Sequence, residues 1–229
     1  MKKKDYAYYS IYALGEFATL DKLVFSNWHT ENFDHEEIYK REIEAGNKKI
    51  KYIFGLDFGY SNDPSAFVCA LKDDNNRKLY VFDGFYRTHM LNRDIAEEII
   101  DMGYAKEHIS ADCASPKDIE DLRTSYNIRY IQGCTKGKGS IISGINYLKQ
   151  YEIILNDNLV SITDTGKLVR WAEEELKNYS HKKDKSTGEY LEEPIDKYNH
   201  FCDALRYACT ADIDAVDRSV KFMEYRELF

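Results

Sequence analysis

The sequence predicts an α/β protein built on one mixed five-stranded sheet, with a core order β-β-β-α-β-α-β flanked by helices and followed by an extra hairpin and a C-terminal helix. Three observations carry this reading. Three runs rich in β-branched and aromatic residues, KYIFGLDF (51–58), SAFVCALK (65–72) and KLYVFDGFY (78–86), are separated only by the turn-forming DPS and DDNNR, the pattern of an antiparallel meander. After Tyr86 the apolar spacing changes from the alternation of strands to the period of helices, with short strand-like runs between. The chain has 229 residues, 43% of them hydrophobic, with 19 Tyr and 11 Phe, which is material for one full core.

Taken in order, LNRDIAEEIIDM (91–102) reads as a helix, HISADC (108–113) as a strand, SPKDIEDL as the start of a helix over 115–126, and IRYIQGC (128–134) as a strand. Strand–helix–strand crossovers in one sheet are right-handed, so the first and fourth strands can lie side by side and parallel with helices covering the faces. Beyond the core come a helix at 139–150, short strands around 152–163, a helix at 166–178, the polar loop HKKDKSTGEYLEEPIDKY (181–198) and a last helix from Asn199 to Ala211. Residues 1–49 look different. They open Tyr-rich and continue as the charged HEEIYKREIEAGNKK, which resembles a linker or an exposed helix. The expected division is therefore 1–49, a domain at 50–215 and a tail at 216–229.

Composition removes several classes of function. No run of 18 apolar residues exists and the opening MKKKDYAYYSIYALGEF lacks the apolar region of an export signal, so neither a membrane span nor secretion is expected. The five cysteines (Cys69, Cys113, Cys134, Cys202, Cys209) are odd in number, lie in apolar segments and form no CxxC pair, as expected for reduced residues. Cys202 is read as packing rather than as a catalytic thiol. A net charge of -8 argues against a protein that coats nucleic acid, although Arg129, Lys136, Lys138 and Lys149, and again Lys182, Lys183 and Lys185, form local basic clusters. Each cluster is either a rim around an acidic centre or solvated surface. There is no G-x-x-x-x-G-K-[ST] phosphate loop and no base-reading helix pair, so ATP hydrolysis and sequence-specific readout are not expected.

Chemistry concentrates in three aspartates. Asp57 interrupts the apolar first strand, Asp112 ends the fourth, and Asp203 lies in the apolar last helix HFCDALRYA. A charge in such a place costs several kcal/mol unless it is paired or bound to a cation. With the first and fourth strands adjacent, Asp57 and Asp112 leave the same edge, and a helix carrying Asp203 across that edge completes an oxygen-rich pocket for Mg²⁺ or Mn²⁺. Two such ions suit phosphodiester hydrolysis. Asp112 could instead serve as a turn former or helix cap. His200 lies three residues before Asp203 on the same helical face, as a ligand or proton shuttle or as a satisfied buried histidine. Asp63, in YSNDPSA, is either a fourth ligand or an Asx-turn residue ahead of Pro64.

Four segments, GLDFGYSNDPSA (55–66), ADCASPKDI (111–119), KGKGSIISGINYLK (136–149) and NHFCDALRYA (199–208), resemble in order the C-terminal nuclease of the terminase large subunit of tailed bacteriophages. That resemblance implies an RNase H-like fold, catalytic Asp57, Asp112, Asp203 and His200, and metal ligation by Asp57, Asp112, Asp203 and Asp63 of a two-metal Mg²⁺ or Mn²⁺ centre. It also implies DNA contacts at Lys136 and Lys138. It casts the chain as an endonuclease cutting concatemeric double-stranded DNA at the start and end of packaging, in the host cytoplasm. Residues 1–49 then resemble the tail of an ATPase domain of the same subunit, with the portal protein and small terminase subunit as further partners. Two rival readings remain: an actin- or Hsp70-like ATPase, because LDFGYSND resembles a phosphate-binding hairpin, and a docking module of the motor without catalysis.

Overall fold

Alternating apolar residues across the central strands place two helical layers on one sheet. The structure, a computed structural model, describes residues 4–5, 22–135, 137, 139–162, 168–210 and 212. Its strands are β1 (Lys4–Asp5), β2 (Trp28–Glu31), β3 (Ile50–Asp57), β4 (Ser65–Asp73), β5 (Lys78–Arg87), β6 (Ile109–Ala111), β7 (Ile131–Gly133) and β8 (Glu152–Asn156). The smaller strands are β9 (Ser161–Ile162), β10 (Leu168–Val169), β11 (His181–Lys183) and β12 (Tyr190–Pro194). The helices are α1 (His35–Glu44), α2 (Asn92–Asp101), α3 (Pro116–Thr124), α4 (Ser140–Leu148), α5 (Trp171–Asn178) and α6 (His200–Ala208).

The main sheet has eight strands in the order β1-β2-β8-β5-β4-β3-β6-β7. Its continuous centre, β5-β4-β3-β6-β7, is the expected five-stranded core. The meander pairs antiparallel, and β3 and β6 lie parallel with Leu56 opposite Ala111. All nine residues of β4 are buried, as a middle strand covered on both faces must be. Along it Phe67, Cys69 and Leu71 pack with α1, α2 and α3, whereas the smaller Ala66, Val68 and Ala70 pack with α4, α5 and α6. The thin side chains on this second face leave room for a helix to approach closely.

That helix is α6, and Gly55 sets its distance. A Cβ at Gly55 would stand 1.9 Å from the Ala204 carbonyl oxygen and 2.8 Å from the Ala208 nitrogen, so the helix backbone rests directly on β3. Any side chain at residue 55 would push α6 off the sheet.

Four features depart from the sequence reading. The sheet extends past β5, whose open edge is covered by β8, parallel to β5, and then by β2, parallel to β8. β2 and α1 are thus built onto the same sheet although they precede the boundary expected at residue 49. Only four residues long and without alternation, β2 carries no strand signature. The helix expected over 166–178 begins at Trp171, because Leu168–Val169 pair with Ser161–Ile162 instead. The polar loop 181–198 holds the hairpin β11–β12, in which Lys182 pairs with Glu193 and Lys183 stacks on the Tyr190 ring. No helix among the described residues is long and apolar enough to cross a membrane. The tail at 216–229, with Lys136 and Lys138, lies outside the described residues.

Candidate active site

Two strand ends and one helix start converge at the edge where β3 and β6 finish. Asp57 is the last residue of β3 and is only 6% exposed. Asp112 follows β6 by one residue, and its backbone N–H donates to the Leu56 carbonyl at 3.0 Å, extending the parallel ladder so that the two acids leave neighbouring strands at one level. The Asp112 carboxylate also accepts the Ala114 N–H at 2.9 Å, so it shapes the turn into α3 while facing the site. Asp63 sits in the loop between β3 and β4. That loop closes tightly over Gly59, where a Cβ would meet the Asp63 carbonyl oxygen at 2.3 Å.

Because α6 rests on Gly55 and starts above Asp57, its first turn hangs over the acids. His200 Nδ1 is 2.9 Å from Asp57 Oδ2 and its Nε2 is 3.5 Å from Asp63 Oδ1, so one imidazole bridges a buried and an exposed carboxylate. Asp203 lies one turn on, where Oδ1 accepts from Arg206 Nη2 at 2.9 Å and Oδ2 from Asn199 at 3.2 Å. Arg206 is 5% exposed and fits because Gly144 on α4 has no side chain; a Cβ there would stand 2.2 Å from Arg206 Cδ. The start of α6 is held by a group the sequence reading passed over. Glu175 of α5, 1% exposed, accepts from the His200 N–H at 3.1 Å, the Phe201 N–H at 2.6 Å and the Tyr86 hydroxyl at 2.7 Å. A carboxylate that satisfies free N–H groups at a helix N-terminus stabilises that end. Its signal was available: Glu175 shares the helical face of Trp171 and Ala172, which are buried.

The electrostatics show an acid surplus. Burial pushes Asp57 up to about 6; the His200 hydrogen bond opposes this, and the charges of Asp203 and Asp112 add to the rise. Burial pushes the His200 imidazole down, but its hydrogen bond to Asp57 and the charges of Asp57, Glu175 and Asp63 together hold it above its ordinary value. Glu175 is raised to about 7 by burial, against its hydrogen bonds. Three acids and one imidazole in a partly desolvated corner match the donor set of a hard divalent cation, and the excess negative charge gives such a cation something to neutralise. The carboxylates of Asp57, Asp112 and Asp203 do not all lie within 4.8 Å of one another, and Asp203 is engaged by Arg206 and Asn199.

Beside Asp203 opens a cleft of about 430 Å³ whose lining includes Gly137, Ser140, Lys182, Asp196 and Asn199. Gly137, Gly139 and Ser140 and the β11–β12 hairpin therefore flank Asp203, while Lys136 and Lys138 lie outside the described residues. Cys202 is buried and its thiol is pushed far up by that burial, so it packs and does not ionise.

Comparison with known proteins identifies the family. The family described as Terminase RNAseH like domain matches residues 57–211, a span running from Asp57 past Asp203. The large terminase subunit of Bacillus phage SPP1 is 31% identical over 159 residues, 69% of this chain and 36% of that protein. The PBSX phage terminase large subunit of Bacillus subtilis strain 168 is 27% identical over 209 residues, 91% of this chain and 44% of that protein. The chain thus spans less than half the length of these relatives. A crystal structure of the large terminase nuclease domain of bacteriophage SPP1 with bound Mn superposes with a TM-score of 0.67 at 28% identity, covering 83% of this chain and 99% of that one. The sheet order, the match across the acid-bearing segments and the shared fold together establish that the chain belongs to the terminase RNase H-like domain family.

Proposed function

We propose that the chain is the metal-dependent DNA endonuclease of a viral DNA-packaging motor, cutting concatemeric double-stranded DNA at the start and end of packaging by two-metal phosphodiester hydrolysis with Mg²⁺ or Mn²⁺. The observation that carries this is Asp57: a carboxylate 6% exposed, flanked by Asp112 and Asp203 and matched by a single imidazole. A neutral group would serve the fold better at that position. The bound Mn of the SPP1 nuclease domain supports the reading.

Asp57, Asp112 and Asp203 would hold the cations, with Asp63 as a further ligand from the loop. Bound there, divalent cations supply a more acidic water and neutralise charge developing on the phosphate. The chain's own residues do the rest. Burial under α6 excludes water from the inner side of Asp57, and the Asp57–His200 hydrogen bond fixes the carboxylate and leaves Nε2 turned toward Asp63, where it can hold or pass a proton. Glu175 fixes the His200 backbone. Lys136, Lys138 and the hairpin would contact phosphates without reading bases. Residues 1–49 would connect to an ATPase domain of the same subunit, and the portal protein and small terminase subunit would be its partners in the host cytoplasm.

The test is cleavage of plasmid DNA with Mn²⁺ or Mg²⁺ by wild type and by Asp57→Ala, Asp112→Ala and Asp203→Ala, each checked for folding. Loss of several kcal/mol of charge stabilisation corresponds to about a thousandfold drop in rate. Wild-type activity in any of the three removes that residue from the site, and cleavage that persists in EDTA overturns the mechanism. A folded wild-type chain that binds Mn²⁺ yet never cuts would be a docking module instead.

A further inference from the structure

We propose that Asp112, Cys113 and Cys134 form a site for a thiophilic divalent cation of the zinc class, adjoining the acidic centre and sharing Asp112 with it. One carboxylate oxygen and the two sulfurs all lie within 4.8 Å of one another, the one such group of His, Cys, Asp and Glu among the described residues. The fold brings them together. β6 and β7 are parallel neighbours with Ala111 opposite Gly133, so the residues that follow leave the same edge side by side, and the Cys134 N–H donates to the Ala111 carbonyl at 2.7 Å. Gly133 permits the approach, since a Cβ there would stand 3.2 Å from Cys113 Cβ. Cys134 is 7% exposed and forms the floor, while Asp112 and Cys113 are half-buried and leave a way in from solvent.

Donor chemistry separates the two sites. Carboxylates and a histidine suit Mg²⁺ and Mn²⁺, whereas two thiolates with one carboxylate favour Zn²⁺ or Cd²⁺, with a water as fourth ligand. Metal–sulfur bonds of about 2.3 Å in a tetrahedral arrangement require the sulfurs to close by no more than about 1 Å. Each thiol releases its proton to solvent as its sulfur–metal bond forms, with no change of oxidation state. If the chain cuts DNA as proposed above, a soft ion here withdraws Asp112 from the acid set and inhibits cleavage. This last consequence rests on that reading; the binding site does not.

The experiment is titration of the full chain, kept reduced, with Cd²⁺ alone, following the ultraviolet charge-transfer band of cadmium–thiolate bonds. One equivalent should saturate the band in wild type and in Asp57→Asn, and the band should be lost in Cys113→Ser and in Cys134→Ala. In parallel, Zn²⁺ added to Mg²⁺-supported plasmid cleavage should inhibit wild type at concentrations at least tenfold below those needed for Cys113→Ser. No band in folded wild type, an undiminished band in either cysteine variant, or equal zinc sensitivity of active wild type and Cys113→Ser would overturn the proposal. A saturable band in a chain that never cuts DNA would uphold the site while sinking the nuclease reading.

Discussion

Helix α6 reaches from one buried polar cluster toward another. Beneath its first turn, Asp57 meets Asp112 and Asp203, with the His200 imidazole on Asp57 and the Arg206 guanidinium on Asp203. Beyond its last turn, Lys72, 1% exposed, is held by Asp74 at 2.6 Å and by Asp212 at 2.9 Å, with the Tyr147 and Tyr151 rings 5.6 and 5.5 Å away. Burial alone would push Lys72 down, yet its hydrogen bonds to Asp74, Tyr147 and Asp212 hold it above its ordinary value. Asp57 moves the other way for a carboxylate, toward protonation. Where the fold only needs a polar group accommodated, opposite charges close on it. At the acidic corner the compensation is left incomplete, and that deficit is what a substrate or cation can use.

Both clusters depend most heavily on Gly55. Gly55→Val should displace α6 and disturb both clusters, costing about 3 kcal/mol or more; a denaturant melt of the variant checks it, and a normal midpoint would mean the helix does not depend on that contact. Next in size, Lys72→Met leaves two carboxylates facing one another and should cost about 2–4 kcal/mol while cleavage per folded molecule stays at the wild-type level. Asp57→Asn should have the opposite sign. It removes a desolvated like charge while an amide can still meet His200, so the EDTA-treated variant should melt higher than wild type by about 1–2 kcal/mol of stability and yet cut no DNA. A lower melting temperature for Asp57→Asn would show that its charge is compensated after all.

Mn²⁺ should stabilise wild type by up to about 2.7 kcal/mol at a hundredfold excess over its dissociation constant and leave Asp57→Asn nearly unmoved, as read by the shift in melting temperature. The least effect concerns acid. Burial raises the Asp74 carboxyl, but its hydrogen bonds to Lys72 and Tyr151 leave it below the ordinary value of 3.8. A depressed folded-state value means that Asp74 contributes stability above that pH, which is lost as pH falls through the lowered value. Lys72→Met should therefore flatten the dependence of melting temperature on pH at and below about 4; an unchanged slope would assign the acid sensitivity elsewhere.

Much of this molecule follows from local pattern. The meander, the two helical crossovers and the parallel neighbours β3 and β6 are legible because strand and helix periods switch cleanly at Tyr86, and Asp57, Asp112 and Asp203 stand out because each interrupts an apolar run. Tertiary structure decided what depends on partners distant in sequence. β2 is a strand only because β8 offers it an edge, and the stretch 181–198 is a hairpin rather than a loop through pairing that its charged composition does not advertise. Gly55 looks like any glycine in a strand until Ala204 is set against it. Glu175 shares the apolar face of Trp171 and Ala172, but it becomes the anchor of α6 only because two N–H groups of another helix arrive there. Cys113 and Cys134, 21 residues apart with no metal-ligand spacing, meet beside Asp112 only through the parallel pairing of β6 and β7. Apolar periodicity is written into the chain one residue at a time, whereas these contacts exist only once the sheet has set its strand order and register.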